Sequence, residues 1–220
     1  AEDVAGVSHF LEHMVFKGTP TRSAKSIANE LERLGGVLNA FTSREHTCYH
    51  ARILNDDLPV AVDLLADLST RAVLPATDVI KERKVISEEI KDTYDSPQEH
   101  VHDVFAEQMW PGQSIGRPIA GTLTSVNETT RSRLAAHRAR YYRPDRMVVA
   151  ASGSLSHGKL LALVKKNFRF ERAKVPAPSV QFVNGVQPRR SVINRDINQT
   201  HVVLGFPTWP FVDKRRYAAL

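Results

Sequence analysis

Val7-Ser8-His9-Phe10-Leu11-Glu12-His13-Met14 is the stretch that decides how this sequence is read. Its apolar residues, continued by Val15 and Phe16, surround two histidines and a carboxylate in what reads as one helix. At about 100° per residue, His13 lies about 40° round from His9 and one turn further on. Two imidazoles so placed can grip one metal ion. Glu12, about 60° to the other side of His9, can reach a water on that ion. This is the H-x-x-E-H zinc pattern, the reverse of H-E-x-x-H. Three specified positions arise by chance in roughly a few per cent of chains this size. A helix this apolar is no solvated face, however, and ionisable groups set into it need partners.

The chain has 220 residues, enough for one large domain or two small ones, and 42% of them are hydrophobic. No apolar run is long enough for a transmembrane helix. The single cysteine, Cys48, excludes an internal disulfide framework and a cysteine-built zinc site. It reads as a half-buried strand residue in a reducing compartment. The formal charge is +6, with the excess concentrated in Arg131, Arg133, Arg138, Arg140, Arg143, Arg146, Arg189 and Arg190. Acids lie among them and no stacking aromatics alternate with them, so they read as solvated surface and not as a nucleic-acid face. Ala1-Glu2-Asp3 is no signal peptide and carries no initiator Met, while the segment from Asp213 looks like a helix just beginning. The expectation is a piece of a longer protein.

Beyond the motif, Ser23 is the expected cap of a helix carrying Ile27, Leu31 and Leu34, stopped by Gly35-Gly36. The runs 37–42 and 46–54 flank a short polar link and read as an antiparallel hairpin. Leu58, Ala61, Val62, Leu65 and Leu68 follow the helical period. Further helices are expected at 78–94, from a capping box at Ser96-Pro97-Gln98-Glu99, at 125–142, and after Ser156. Residues 147–153 read as a buried strand, Pro176 and Pro178 as a linker, and 191–195 and 201–206 as final strands.

Two histidines need a third protein ligand. Helix 78–94 offers Glu82, Glu88 and Glu89. With Glu82 at zero, Glu89 falls within about 20°, and both border the side carrying Val79, Ile86 and Ile90. Glu88 points about 120° away. Glu89 is therefore the candidate ligand and Glu82 a supporting carboxylate. The competing reading puts both in a surface ion-pair array with Lys81, Arg83, Lys84 and Lys91. His46 and His50 are too far apart along a strand to share an ion, at about 13 Å. They, with His100, His102, His137, His157 and His201, read as structural or surface residues.

The segments GVSHFLEHMVFKGT, LERLGGVLNAFTSREHTCYHARIL, ERKVISEEI and YRPDRMVVAASG, in this order, resemble the inverzincin zinc metallopeptidases. That family includes pitrilysin, insulysin and the beta subunit of mitochondrial processing peptidase. The similarity runs from Gly6 to Gly153, continues more weakly to Leu220, and is strongest to the bacterial processing-peptidase-like branch. It implies an α+β fold, with a mostly antiparallel sheet packed on one side by helices and incomplete at both ends. Residues 1–185 would form the N-terminal catalytic domain, and 186–220 the last strands and the connection to a second, similar domain.

By the resemblance, His9, His13 and Glu89 hold one zinc ion, Glu12 is the general base, and Glu82 assists. Asn39, Ala40, Phe41 and Thr42 form the edge to which a peptide substrate adds as a strand. The implied activity is endopeptidase cleavage of extended or presequence-like peptides. The implied partners are that second domain, which would lend the cleft an arginine and a tyrosine, and a homo- or heterodimeric assembly; neither nucleic acid nor membrane is among them. The implied location is the bacterial cytoplasm, or the mitochondrial matrix in a eukaryote. The alternative is a non-catalytic family subunit with a structural or substrate-binding role.

Overall fold

A computed structural model describes residues 4–170, 188–210 and 212–218. The described residues fall into two compact units. The first is drawn from Ala1–Lys91 and Pro118–Ser179, the second from Asp92–Arg117 and Val180–Leu220. The fold is α+β, with helices around a small antiparallel sheet. The expected linker at Pro176 and Pro178, and the expected boundary after residue 185, lie outside the described residues.

In the first unit the motif forms helix α1, Val7–Val15. Its apolar residues Val7, Phe10, Leu11, Met14 and Val15 are all buried. Each large side chain so buried is worth about 1.5–3 kcal/mol. They pack with Ala72, Leu74, Val79, Ile86, Val126 and Leu134 into one core. The helix starts from Gly6, which has φ 80° and no side chain with which to cap. A Cβ at Gly6 would stand 2.3 Å from the Ala120 carbonyl oxygen, and one at Gly121, φ 82°, would stand 2.7 Å from that of Ala5. Two segments thus meet backbone to backbone at the start of the motif helix, and glycine is what lets them.

Helix α2, Ala24–Glu32, opens where Ser23 accepts the Ser26 N–H, and closes with Gly36 N–H donating to Leu31 C=O. The hairpin pairs β1, Val37–Thr42, with β2, Thr47–Arg52. Helix α3, Leu58–Arg71, lends Ala61, Leu64 and Leu68 to a second core with Ile27 and Leu31. Phe16 packs against both cores. On α3 the fully buried Asp67 accepts from Thr19 (2.7 Å), Thr21 (2.9 Å), Arg22 (2.8 Å) and Arg71 (2.6 Å). Arg22 also reaches Glu30 and Asp63, so no charge in this knot is buried alone.

Helix α4, Ala76–Asp95, buries Val79, Glu82 and Ile86. The helix expected over 125–142 is broken. A short α6, Leu123–Asn127, is capped by Thr122, and α7, Arg131–Tyr141, starts afresh from Thr130, whose hydroxyl accepts the Arg133 N–H. A threonine satisfying orphan N–H groups favours a new helix start over a continued turn. Helix α8, His157–Asn167, begins at Ser156 as expected. Its predecessor, 147–153, is neither a strand nor buried: Val148 is 92% exposed. An apolar β-branched run becomes a strand only where a ladder pairs it, and among the described residues none does.

Two of the arginines read as solvated are employed in the fold. Arg131 donates to Leu74 C=O (2.8 Å) and Arg138 to Ala72 C=O. They tie down the α3–α4 connection, where Leu74 sits at φ 49°.

In the second unit α5, Pro97–Met109, follows Ser96, but that side chain makes no cap hydrogen bond and the expected capping box does not form. The Ser96 carbonyl instead accepts the His100 N–H. Arg195 lies over the Tyr94 ring, 4.3 Å from its centre, and donates to His100 Nδ1 at 3.1 Å. The expected strands at 191–195 and 201–206 are irregular, with Val202, Leu204 and Phe206 each at least 75% exposed. They fail for the same want of a pairing partner among the described residues. Residues Lys214–Ala218 form a 3₁₀ turn.

Candidate metal centre

Burying the apolar stripe of α1 fixes where its polar residues point. His9 and His13 face α4, with ring centres 4.7 Å apart and planes inclined at 67°. Glu89 Oε2 of α4 stands 3.8 Å from His9 Nε2 and 3.7 Å from His13 Nε2. One ligand atom from each residue lies within 4.8 Å of the other two. Nitrogen and oxygen ligands about 2.0–2.2 Å from a tetrahedral ion stand roughly 3.3 Å apart, so modest side-chain movement brings this trio onto zinc.

The electrostatics suit a metal better than an ion pair. Burial and the neighbouring His13 push the His9 imidazole below its ordinary pKa, against the pull of Glu89 and Glu12. A neutral imidazole carries the lone pair that a metal needs. Glu82, 7% exposed, accepts a hydrogen bond from His13 Nδ1 at 3.1 Å and pairs with Lys17 Nζ at 2.7 Å. A proton held on Nδ1 leaves the Nε2 lone pair turned toward His9 and Glu89. His9 Nδ1 is buried and makes no hydrogen bond to the protein.

Glu88 points outward and pairs with Lys91, as its phase requires. Glu12 faces β1, where the Thr42 hydroxyl donates to its Oε2 at 2.5 Å. Asn39, Ala40 and Phe41 lie along the same strand, with Asn39 opposite His50 and Phe41 opposite Cys48. Ser43 N–H bonds His46 C=O across the turn. By the alternation of an antiparallel ladder, Asn39 and Phe41 then bond β2, while the Ala40 N–H turns away from it. The Asn39 side chain accepts that N–H at 2.8 Å, which accounts for an asparagine in a strand.

Sequence reasoning missed Lys17, although it lies one helical turn beyond His13. It also missed the link between Ser8 Oγ and His137 Nε2, 3.0 Å apart, which ties α1 to α7 and which no local pattern signals.

The model of the insulinase family, peptidase family M16, matches residues 1–123, and that of the peptidase M16 inactive domain matches residues 128–220. The chain belongs to the insulinase family. Among relatives of this member, an uncharacterized zinc protease of Mycobacterium tuberculosis is 46% identical over 210 residues, covering 93% of this chain and 48% of that protein. The Saccharomyces cerevisiae mitochondrial-processing peptidase subunit beta is 41% identical over 177 residues, covering 79% of this chain and 38% of that protein. The chain thus spans about half the length of the first of these relatives. In fold, it resembles a protease from Helicobacter pylori with a TM-score of 0.76 at 24% identity, over 82% of this chain and 44% of that one. It resembles pitrilysin with a TM-score of 0.72 at 24% identity, over 83% and 20%. No helix among the described residues is long and apolar enough to cross a membrane.

Proposed function

We propose that this family member is the catalytic part of a zinc endopeptidase acting on extended or presequence-like peptides. The observation that carries the reading is the convergence of His9, His13 and Glu89 beside Glu12 and Glu82. His9, His13 and Glu89 would hold zinc, which when bound supplies a Lewis acid that acidifies water and polarises the scissile carbonyl. Glu12 takes the proton of the attacking water and delivers it to the leaving amine. Glu82 holds His13 in the tautomer that ligation requires.

The peptide lies along Asn39, Ala40, Phe41 and Thr42 of β1 as an added strand, using the outward backbone groups of Ala40 and Thr42 once the Asn39 side chain releases the Ala40 N–H. Among the described residues β1 pairs with β2 on one side only, which supports this. Residues 1–185 form the catalytic domain, and a second family domain in the same protein completes the cleft. That this chain spans 48% of its Mycobacterium tuberculosis relative supports a second domain of similar size.

The test is metal analysis and peptide cleavage with the protein as its gene encodes it. One zinc per chain is expected, lost when His9 and His13 are both changed to alanine. Glu12→Gln should keep the metal and lose activity, because an amide cannot accept the proton. Glu89→Gln should weaken zinc binding and Glu88→Gln should not. An active Glu12→Gln protein would point to a different base, and a parent that cleaves no peptide would favour the non-catalytic alternative.

A further inference from the structure

Two hydroxyl groups from the facing strands of the hairpin meet beside Glu12, and two tyrosine hydroxyls pair at the core that holds α1. Tyr49 and Tyr142 hydroxyl oxygens are 2.6 Å apart. Thr47 and Thr42 hydroxyl oxygens are 3.2 Å apart, and Thr42 donates to Glu12 Oε2 at 2.5 Å. Each hydroxyl has one proton to give, and an ionised carboxylate can only accept. The direction of the threonine links follows from that. Thr42 spends its proton on Glu12, so it accepts from Thr47. The relay runs one way, from β2 through β1 to the carboxylate.

Tyr49, two residues along β2 from Thr47, packs its ring against the core that holds α1, as does Tyr142. The strand that carries Thr47 is therefore anchored, and only Thr42 meets the carboxylate. Successive hydrogen bonds polarise one another, so the final one is stronger than a lone threonine would make it. A single donor on Oε2 leaves Oε1 available and fixes the plane of the carboxylate.

We propose that Thr42, backed by Thr47, positions the Glu12 carboxylate for proton transfer. This rests on the reading of Glu12 as general base. It gives Thr42 a role distinct from lending its backbone to a substrate strand. Thr42 is a positioning residue, since it acts through Glu12.

The experiment compares Thr42→Val, which keeps the shape and removes the hydroxyl, with Thr42→Ser, which restores the hydroxyl. Thr47→Val and Glu12→Gln are made alongside. All are prepared as the gene encodes the protein, loaded with zinc, and assayed on one internally quenched peptide that the parent cleaves. Thr42→Val should lower kcat roughly tenfold to a hundredfold, the usual cost of a misplaced catalytic group, with KM within about twofold. Its zinc content should equal the parent's, and crystals should show the Glu12 carboxylate turned from its parent orientation. Thr42→Ser should recover most of kcat, and Thr47→Val should lose several-fold in the same sense. Combined with Glu12→Gln, Thr42→Val should cost nothing further.

An unchanged kcat in Thr42→Val, or a change confined to KM, overturns the positioning role, as does a serine variant as slow as valine. If Glu12→Gln is inactive and Thr42→Val is normal, only this inference fails. If Glu12→Gln is itself active, the reading beneath it fails as well.

Discussion

Replacing Glu82 by alanine tests whether the carboxylate beneath His13 prepares a metal ligand or merely pairs with lysine. Glu82 is 7% exposed, with one oxygen on His13 Nδ1 and the other on Lys17. Glu82→Ala leaves the His13 N–H without its protein acceptor, a loss of about 1–3 kcal/mol. Lys17, whose side chain is 30% exposed, can turn to water and adds little. The larger consequence falls on the metal. Without Glu82 the ring is free to rotate and to exchange tautomers, and loss of such a supporting group lowers metal affinity about 10- to 100-fold. That is about 1.4–2.8 kcal/mol. The assay is competition with a chromophoric zinc chelator, paired with urea unfolding of the metal-free protein. Glu82→Gln keeps an acceptor for His13 and loses the charge facing Lys17, so it should fall between parent and alanine. If Glu82→Ala binds zinc within twofold of the parent, Glu82 belongs to a surface ion-pair array and has no part in ligation.

Two further outcomes concern stability. Asp67→Asn should cost about 3 kcal/mol in urea unfolding, toward the lower end for a broken buried pair, because Arg22 keeps Glu30 and Asp63. Burial raises the Asp67 pKa, but hydrogen bonds from Thr19, Arg22, Arg71 and Thr21 outweigh it, and the net shift is downward from 3.8. Its contribution is therefore full above pH 3.8 and is lost as pH falls through the depressed folded value; an unfolding titration of Asp67→Asn should lack that acid limb. His137 is pushed from 6.5 down to about 4 by burial and by Arg140, so the unfolded chain binds the extra proton between those values. Stability should decline by about 3 kcal/mol as pH drops through that window, and His137→Asn should flatten the slope. Equal slopes in parent and variant would show that this imidazole is not the sensor.

The parts of the fold and site legible in the sequence are those that repeat with a period inside one element. His9, Glu12 and His13 sit on a single helix, so their relation follows from the helical angle. The same angle separates Glu89 and Glu82 from Glu88. The cap at Ser23 and the hairpin turn are equally local. What the sequence withheld depends on meetings between distant segments. Glu12 and Thr42 have no common pattern, and only packing of α1 on the hairpin brings them together. Arg131 and Arg138 look like a solvent face until the carbonyls of Leu74 and Ala72 appear beneath them. The errors have physical causes too. Residues 147–153 and 201–206 have strand composition, but composition supplies no ladder. The break between α6 and α7 was hidden because the apolar period continues across Thr129 and Thr130, whose hydroxyls bond the backbone instead.

The contact between Gly6 and Gly121 bears on how this protein can vary. Most of α1 can exchange one apolar residue for another of similar volume. These two sites admit no such drift. Any Cβ at either runs into main chain that cannot swing aside, and the left-handed backbone penalises it again. A saturation library selected only for folding should return glycine alone at both, well ahead of any selection for activity. Because Gly6 fixes where α1 begins, inserting or deleting one residue between it and His9 would rotate the whole ligand pair by about 100°. The register of the motif is thus guarded by two residues with no side chain.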